Sequence, residues 1–167
     1  MIRFAGILFL SIIPILFGFW MAKRKREQFD IHAEMLRFIK EIRFQIAEFS
    51  RPQEEIFHLF QSKVLEDCAF LSNLRERSRE FPDGAFMHAL EHFSRWDAFD
   101  DMEQSTLENF SLLFGMQSKI SQLEDCDRAI HLLERQEEKK KLTIQQEIKT
   151  AKVVGFAIGI GLAILFI

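Results

Sequence analysis

The chain has 167 residues and a formal net charge of −3, with 48% hydrophobic and 28% charged residues. Its length allows one domain of about 125 residues between two apolar ends. Cys68 and Cys126 are too few for a disulfide scaffold and have no metal-type spacing. Basic residues lie mostly beside the apolar ends, so the sequence predicts no nucleic-acid partner.

The first predicted element is an N-terminal transmembrane anchor, residues 1–22. Residues 4–21 carry no charge and are long enough to cross a bilayer as a helix. Pro14 would kink a soluble helix but is tolerated in a membrane, and Trp20 lies where an interfacial aromatic residue is common. The competing interpretation is a cleaved signal peptide, but no small-residue cleavage site follows the apolar stretch.

Basic residues follow this anchor at once, and others precede the apolar end of the chain. Lysine and arginine beside a span remain in the cytoplasm under the positive-inside rule. We therefore predict a cytoplasmic domain, residues 23–152, with both termini outside. The flanking basic residues are Lys23, Arg24, Lys25, Arg26, Lys149 and Lys152.

The middle of the chain predicts an all-α, six-helix cytoplasmic bundle between the two transmembrane helices. Apolar residues recur at helical spacing, and no stretch alternates with a period of two. The predicted helices cover about residues 25–49, 52–64, 68–79, 85–96 and 100–114, and a long helix runs from about 118 toward the second anchor.

Three segments predict helix ends within this bundle. Ser50 and Gln53 form a candidate capping box, with Pro52 in the first turn of the second helix. Asp100 and Glu103 predict an acidic cap on the fifth helix. A turn is predicted at residues 81–84.

The chain ends in a predicted C-terminal transmembrane anchor, residues 153–167. As a helix this stretch is about 22 Å long, shorter than a hydrocarbon core of about 30 Å. Thinning of the bilayer and snorkelling of Lys149 and Lys152 would compensate. A buried core helix is the competing interpretation.

Glycines in the two anchors form the best short motif. Gly155 and Gly159 lie one turn apart, and such a pair lets two membrane helices approach closely. Gly6 and Gly18 in the first anchor are candidate partners for them. The alternative is that glycine is simply common in membrane helices.

The sequence contains no pattern that favours an enzyme. It has no glycine-rich phosphate loop, no nucleophile motif and no zinc-protease helix. His88 and His92 are spaced i, i+4 with Glu91 nearby, which suits a metal only weakly. We predict no catalytic residues, no cofactor and no metal, and keep a metal-binding membrane sensor or enzyme as an alternative.

Several of these residues resemble the stage III sporulation protein AB family of endospore-forming bacteria. The resemblance covers nearly the whole chain and is most specific in its last third, where Gln122 follows Gly115 by seven residues. Pro52 resembles the proline of the family's helix start. Further matching positions are the lysines Lys149 and Lys152 and the anchor glycines Gly6, Gly18, Gly155 and Gly159.

This resemblance implies a fold and a role. The family's soluble part is similar to the six-helix cytoplasmic domain of type II secretion platform proteins. It implies a structural membrane component of the channel-like complex between mother cell and forespore, located in the mother-cell membrane. Implied partners are the bilayer, a secretion-type ATPase and other subunits of the complex, with self-association possible in addition. The alternative is a type II secretion or pilus platform outside sporulation.

Overall fold

The computed structural model describes residues 2–81, 84–114 and 118–166, and this part of the chain contains seven α-helices and no strand. The predicted all-helical class is confirmed. The helices are α1 (Ile2–Phe44), α2 (Gln53–Leu59), α3 (Lys63–Asp67), α4 (Phe70–Glu80), α5 (Ala85–Glu91), α6 (Asp101–Leu113) and α7 (Lys119–Phe166).

The chain forms two compact units. One consists of Met1–Gln28 with Lys139–Ile167, and the other of Phe29–Glu138. We call the first the terminal helix pair, since it is built from the outer parts of α1 and α7. We call the second the bundle. The predicted domain limits at residues 22 and 152 remain predictions.

Continuous helices replace some of the predicted boundaries. α1 includes both the first apolar segment and the predicted first helix, with Pro14 inside it. Its last turn widens into a π-helix, Gln45–Phe49, which ends at Ser50 in a left-handed conformation with φ of 50°. α7 likewise runs from the bundle through the last apolar segment, as its unbroken sequence predicts.

The prediction of two transmembrane helices is wrong for the described residues. No helix among them combines the length and the apolar character that crossing a membrane requires. A span needs about 20 consecutive apolar residues. The N-terminal segment does not meet the requirement over its described residues either.

The predicted second helix is also wrong in its length, which is why the bundle has more helices than the six predicted. It divides into α2 and α3 because the Arg75 guanidinium binds the chain between them. Arg75 donates hydrogen bonds to the carbonyl oxygens of Phe57, at 3.0 Å, and Phe60, at 2.6 Å, and pairs with Glu66. These carbonyls at the end of α2 therefore find a partner outside a helix.

Capping of α2 differs from the prediction too. Pro52 is the residue before α2, and no side chain caps this helix. The Ser50 hydroxyl accepts a hydrogen bond of 2.7 Å from the Lys119 ammonium, which also donates to the Ala47 carbonyl at 3.1 Å. Ser50 thus connects the end of the π-helix to the start of α7.

Phenylalanine rings form the centre of the bundle. Phe38 of α1 is fully buried, and its ring centroid lies 4.7 Å from that of Phe60 and 5.9 Å from that of Phe70. Phe57 and Phe86 contact it at 6.1 Å. Offset and edge-to-face contacts of this kind add to the stability from burial, and a phenylalanine ring needs no hydrogen-bond partner.

The acidic cap predicted for α6 is confirmed. The Glu103 N–H donates to the Asp100 carboxylate at 2.9 Å, and the Glu103 carboxylate accepts from the Asp100 N–H at 2.8 Å. This reciprocal pair is a complete capping box. It fixes the start of α6 and holds the Glu103 side chain in the interior, where it is fully buried.

We expect Asp100→Ala to lower the free energy of unfolding by about 1 kcal/mol, the usual cost of losing an N-cap side chain. Urea denaturation of the full-length protein, followed by circular dichroism, measures the change. Asp101→Ala removes the next, exposed carboxylate and serves as the control, with an expected loss of about 0.3 kcal/mol through the helix dipole. Equal losses for the two variants would contradict a capping role.

Candidate functional site

The terminal helix pair is antiparallel, and its helices approach most closely at two glycines. A Cβ atom added to Gly18 would lie 2.6 Å from the Ala151 carbonyl oxygen. One added to Gly155 would lie 2.7 Å from the Pro14 carbonyl oxygen and 3.0 Å from the Gly18 Cα. Since these neighbours are backbone atoms, no rotamer change would make room, and only glycine fits at either position.

The structure brings together part of the predicted glycine set. Gly18 lies directly against Gly155, and Gly159 is buried one turn further along α7. Gly6 lies in α1, in the part whose surroundings are not described. Gly161 has open space around it. Packing of these glycines inside a membrane remains a prediction.

The six predicted flanking basic residues are all exposed. The Lys25 ammonium lies 3.1 Å from the Glu147 carboxylate across the pair. The Lys152 ammonium lies 5.5 Å from the centre of the Phe19 ring, and the Arg24 guanidinium 5.6 Å from that of Trp20. Aromatic rings and basic groups therefore meet where the apolar part of the pair ends.

The outer surface of the pair is strongly apolar. Ile13 and Leu16 are each 62% exposed, Trp20 is 53% exposed, and Phe156 on α7 is 56% exposed. Soluble monomers rarely expose a contiguous apolar surface of more than a few hundred Å², and larger ones mark binding to a protein or a membrane. The other exposed apolar residues are Ile12, Phe17, Phe19, Met21, Val153, Val154, Ile158, Ile160 and Ile164.

A groove with a volume of about 620 Å³ runs between the two helices beside the glycines. Phe17, Val154 and Ile158 line its apolar end, and Lys25 and Glu147 line the polar end. One end of the groove is therefore apolar and the other end is charged, as in the helix pair as a whole.

A second polar arrangement lies inside the bundle. His32 of α1 is 1% exposed, and its Nδ1 lies 2.8 Å from the Glu103 Oε1. The His32 Nε2 lies 3.2 Å from the Leu133 carbonyl oxygen of α7. The ring therefore lies between two oxygen acceptors, one of them the Glu103 carboxylate. It connects α1, α6 and α7.

Comparison with protein families identifies the chain. The family model for stage III sporulation protein AB matches residues 3–167. The chain belongs to the stage III sporulation protein AB family. Its role is therefore in stage III sporulation, which favours the predicted sporulation role over a secretion or pilus platform elsewhere. Comparison with curated proteins and with solved structures finds no match.

Two of the three family-motif positions lie near the ends of helices. Pro52 precedes α2, and Gln122 is a half-buried residue near the start of α7, where its backbone N–H donates to the Ser118 carbonyl at 3.0 Å. Gly115 lies outside the described residues. The sequence did not point to Lys119. Its ammonium contacts Ser50, which lies two residues before Pro52.

The two histidines considered for a metal lie at the end of α5. The rings of His88 and His92 stack with centroids 4.3 Å apart, and the His92 Nδ1 lies 3.0 Å from the His88 carbonyl oxygen. Among the residues that the structure describes, no three His, Cys, Asp or Glu side chains are grouped to hold a metal.

The two cysteines lie buried in the bundle, and neither forms a disulfide. Cys126 is fully buried, and its burial raises the pKa of the thiol to about 12, with the carboxylates of Asp127 and Asp125 adding to the effect. The thiol is therefore neutral at physiological pH, and the thiolate is the form that reacts.

Proposed function

We propose that the protein is a membrane-attached structural platform of the complex between mother cell and forespore. In this proposal the apolar surface of the terminal helix pair enters the lipid of the mother-cell membrane, and the bundle holds partner subunits at the cytoplasmic face. Attachment of this kind requires only that apolar side chains enter the bilayer. The exposed apolar surface of the pair is the observation that carries the proposal.

The energetics support attachment. Burying six half-exposed apolar side chains contributes roughly 5–9 kcal/mol, at 1.5–3 kcal/mol for each complete burial. Each exposed basic residue near an anionic leaflet adds about 1 kcal/mol. The aromatic rings of Phe19 and Trp20 beside Lys152 and Arg24 suit the boundary between lipid and water.

The proposed partners follow from the family's similarity to secretion platforms. A secretion-type ATPase on the mother-cell side and the other membrane subunits of the same complex would contact the bundle. Self-association through the terminal helix pair is the rival explanation of its exposed apolar surface, since a second copy would cover the same side chains. The two explanations differ in whether lipid is needed.

Flotation with vesicles tests attachment directly. We expect the full-length protein to float with vesicles of phosphatidylglycerol and phosphatidylethanolamine, because its apolar surface enters them. Ile13→Glu with Leu16→Glu should abolish flotation. Ile120→Glu changes a 72% exposed apolar residue of the bundle and should leave flotation unchanged.

A stable oligomer that stays at the bottom of the gradient would overturn the attachment proposal in favour of self-association. The basic residues supply a second arm of the test. Lys23→Gln with Arg24→Gln and Arg26→Gln should weaken binding to anionic vesicles on the order of a hundredfold at low salt, at about 1 kcal/mol per residue. The same variant should bind zwitterionic vesicles as the unchanged protein does.

The platform role is tested in the source organism. We expect deletion to stop late forespore gene expression after engulfment, and the full-length protein to restore it. A protein that ends at Lys152 should fail to restore it, because half of the terminal helix pair is then missing. Normal late expression in the deletion strain would contradict the platform role.

A further inference from the structure

A cleft lies between α6 and α7 in the bundle. Its volume is about 320 Å³, and α6 and α7 each contribute one wall. Phe110, Leu113 and Leu132 make the walls largely apolar, while Asn109 and Asp125 supply polar groups. The proposed attachment to a membrane gives this cleft no role.

Asp125 is the unusual residue of the cleft. It is only 7% exposed, and its Oδ2 is buried with no hydrogen-bond partner among the residues that the structure describes. The Arg128 guanidinium lies 3.6 Å from the other oxygen, Oδ1, but it is itself 67% exposed. An ionised carboxylate removed from water needs hydrogen bonds or a paired charge, and one oxygen of Asp125 has neither.

The surroundings of Asp125 indicate which kind of group would pair with its carboxylate. A metal ion is disfavoured, because no group of three acidic, histidine or cysteine side chains is found in the described parts of the chain. Apolar walls above a buried carboxylate suit an alkyl chain that ends in a cation. Ser105 and Asn109 at the exposed side of the cleft offer further oxygen acceptors for a multidentate donor.

We propose that this cleft binds a basic side chain, arginine or lysine, from a partner protein. The stem lies along Phe110 and Leu132, and the cationic group pairs with the Asp125 carboxylate. Charge complementarity fixes the partner's chemistry. Arg128 occupies the rim of the site in the free protein and moves toward solvent when the partner's side chain enters.

Stability provides the first test, because a binding site and a structural carboxylate behave in opposite ways. Asp125→Asn removes the buried charge but keeps the shape of the side chain. We expect the melting temperature of the full-length protein to rise by about 2–4 °C, since a buried carboxylate with one unpartnered oxygen, and only an exposed guanidinium near the other, opposes folding. Glu124→Gln, which removes an exposed charge next to it, should leave the melting temperature unchanged. A fall in melting temperature for Asp125→Asn would overturn the proposal.

Binding provides the second test. The probes are N-acetyl-arginine methylamide and its neutral isostere N-acetyl-citrulline methylamide, added at millimolar concentrations to the full-length protein in detergent. We expect the arginine probe to shift the amide signals of Phe110 and Ala129 saturably in nuclear magnetic resonance spectra. Asp125→Asn should weaken this binding at least tenfold, and Glu124→Gln should not. Equal shifts from the citrulline probe, or no shift from the arginine probe, would overturn the proposal.

Discussion

Replacement of Gly155 by leucine is expected to separate the two helices of the terminal pair. The first atom of any side chain at this position would lie 2.7 Å from the Pro14 carbonyl oxygen. Overpacking of a core costs about 1–3 kcal/mol when side chains can move aside. Here the opposing atoms are backbone, so we expect at least about 3 kcal/mol, and a ratio of paired to separated helices that falls at least a hundredfold.

Pulsed electron paramagnetic resonance measures the separation. Spin labels at Arg26 and Gln145, both exposed, report the distance between α1 and α7 in the full-length protein. The protein with Gly155 unchanged should give one narrow distribution of distances between the two labels. The Gly155→Leu variant should give a broader distribution at longer distances. The native thiols of Cys68 and Cys126 are buried, so they compete little for the label.

Gly161 provides the matched control on the same helix. A Cβ atom there meets nothing within 4 Å, so Gly161→Leu should leave the distance distribution unchanged. Gly18→Leu should reproduce the effect of Gly155→Leu, because its Cβ would meet the Ala151 carbonyl oxygen. Unchanged distances in both Gly18→Leu and Gly155→Leu would show that the close contact does not hold the helices together.

The motif at Gly155 and Gly159 predicted close packing of membrane helices, with Gly6 or Gly18 as partners. The structure places Gly18 against Gly155, and packing within a membrane stays a prediction. The all-helical class and the cap at Asp100 illustrate what the sequence predicts well, because they depend on residues within a few positions of one another. Signals of this kind can be interpreted without knowing which residues from distant parts of the sequence are in contact.

The wrong predictions depended on contacts between distant residues or on length. The break between α2 and α3 arises from hydrogen bonds that Arg75 donates to the Phe57 and Phe60 carbonyls, 18 and 15 residues earlier. Ser62 is the one local signal of the break, because its hydroxyl accepts from the Leu65 N–H and caps α3, and the prediction of a single second helix did not use it. The transmembrane prediction relied on apolar composition for the C-terminal segment, although its length of about 22 Å was already short for a bilayer.

The polar groups inside the bundle were not predictable at all. Asp125 has the same sequence context as the exposed acidic residues around it, and only the packing of α7 against α6 buries it. His32 lies 71 positions before Glu103 and 101 before Leu133, and a single sequence contains no signal that connects them.

Replacement of His32 by leucine is expected to be the most destabilising change in the bundle. Leucine fills similar space but leaves the buried Glu103 carboxylate without the imidazole nitrogen that lies 2.8 Å from it. Leaving a buried charged group without its polar partner costs about 3–5 kcal/mol. For a chain of this length that corresponds to a fall in melting temperature of about 6–20 °C, which thermal unfolding followed by circular dichroism would detect.

A second variant separates the charge from the loss of packing. Adding Glu103→Gln to His32→Leu removes the stranded charge, and the amide oxygen still accepts the Asp100 N–H of the capping box. We therefore expect the double variant to be more stable than His32→Leu alone. His131→Leu, at an exposed position of α7, should change stability by less than about 0.5 kcal/mol. If the double variant were no more stable than the single one, the cost would come from packing, and the polar contact between His32 and Glu103 would not be what holds α1 against α6.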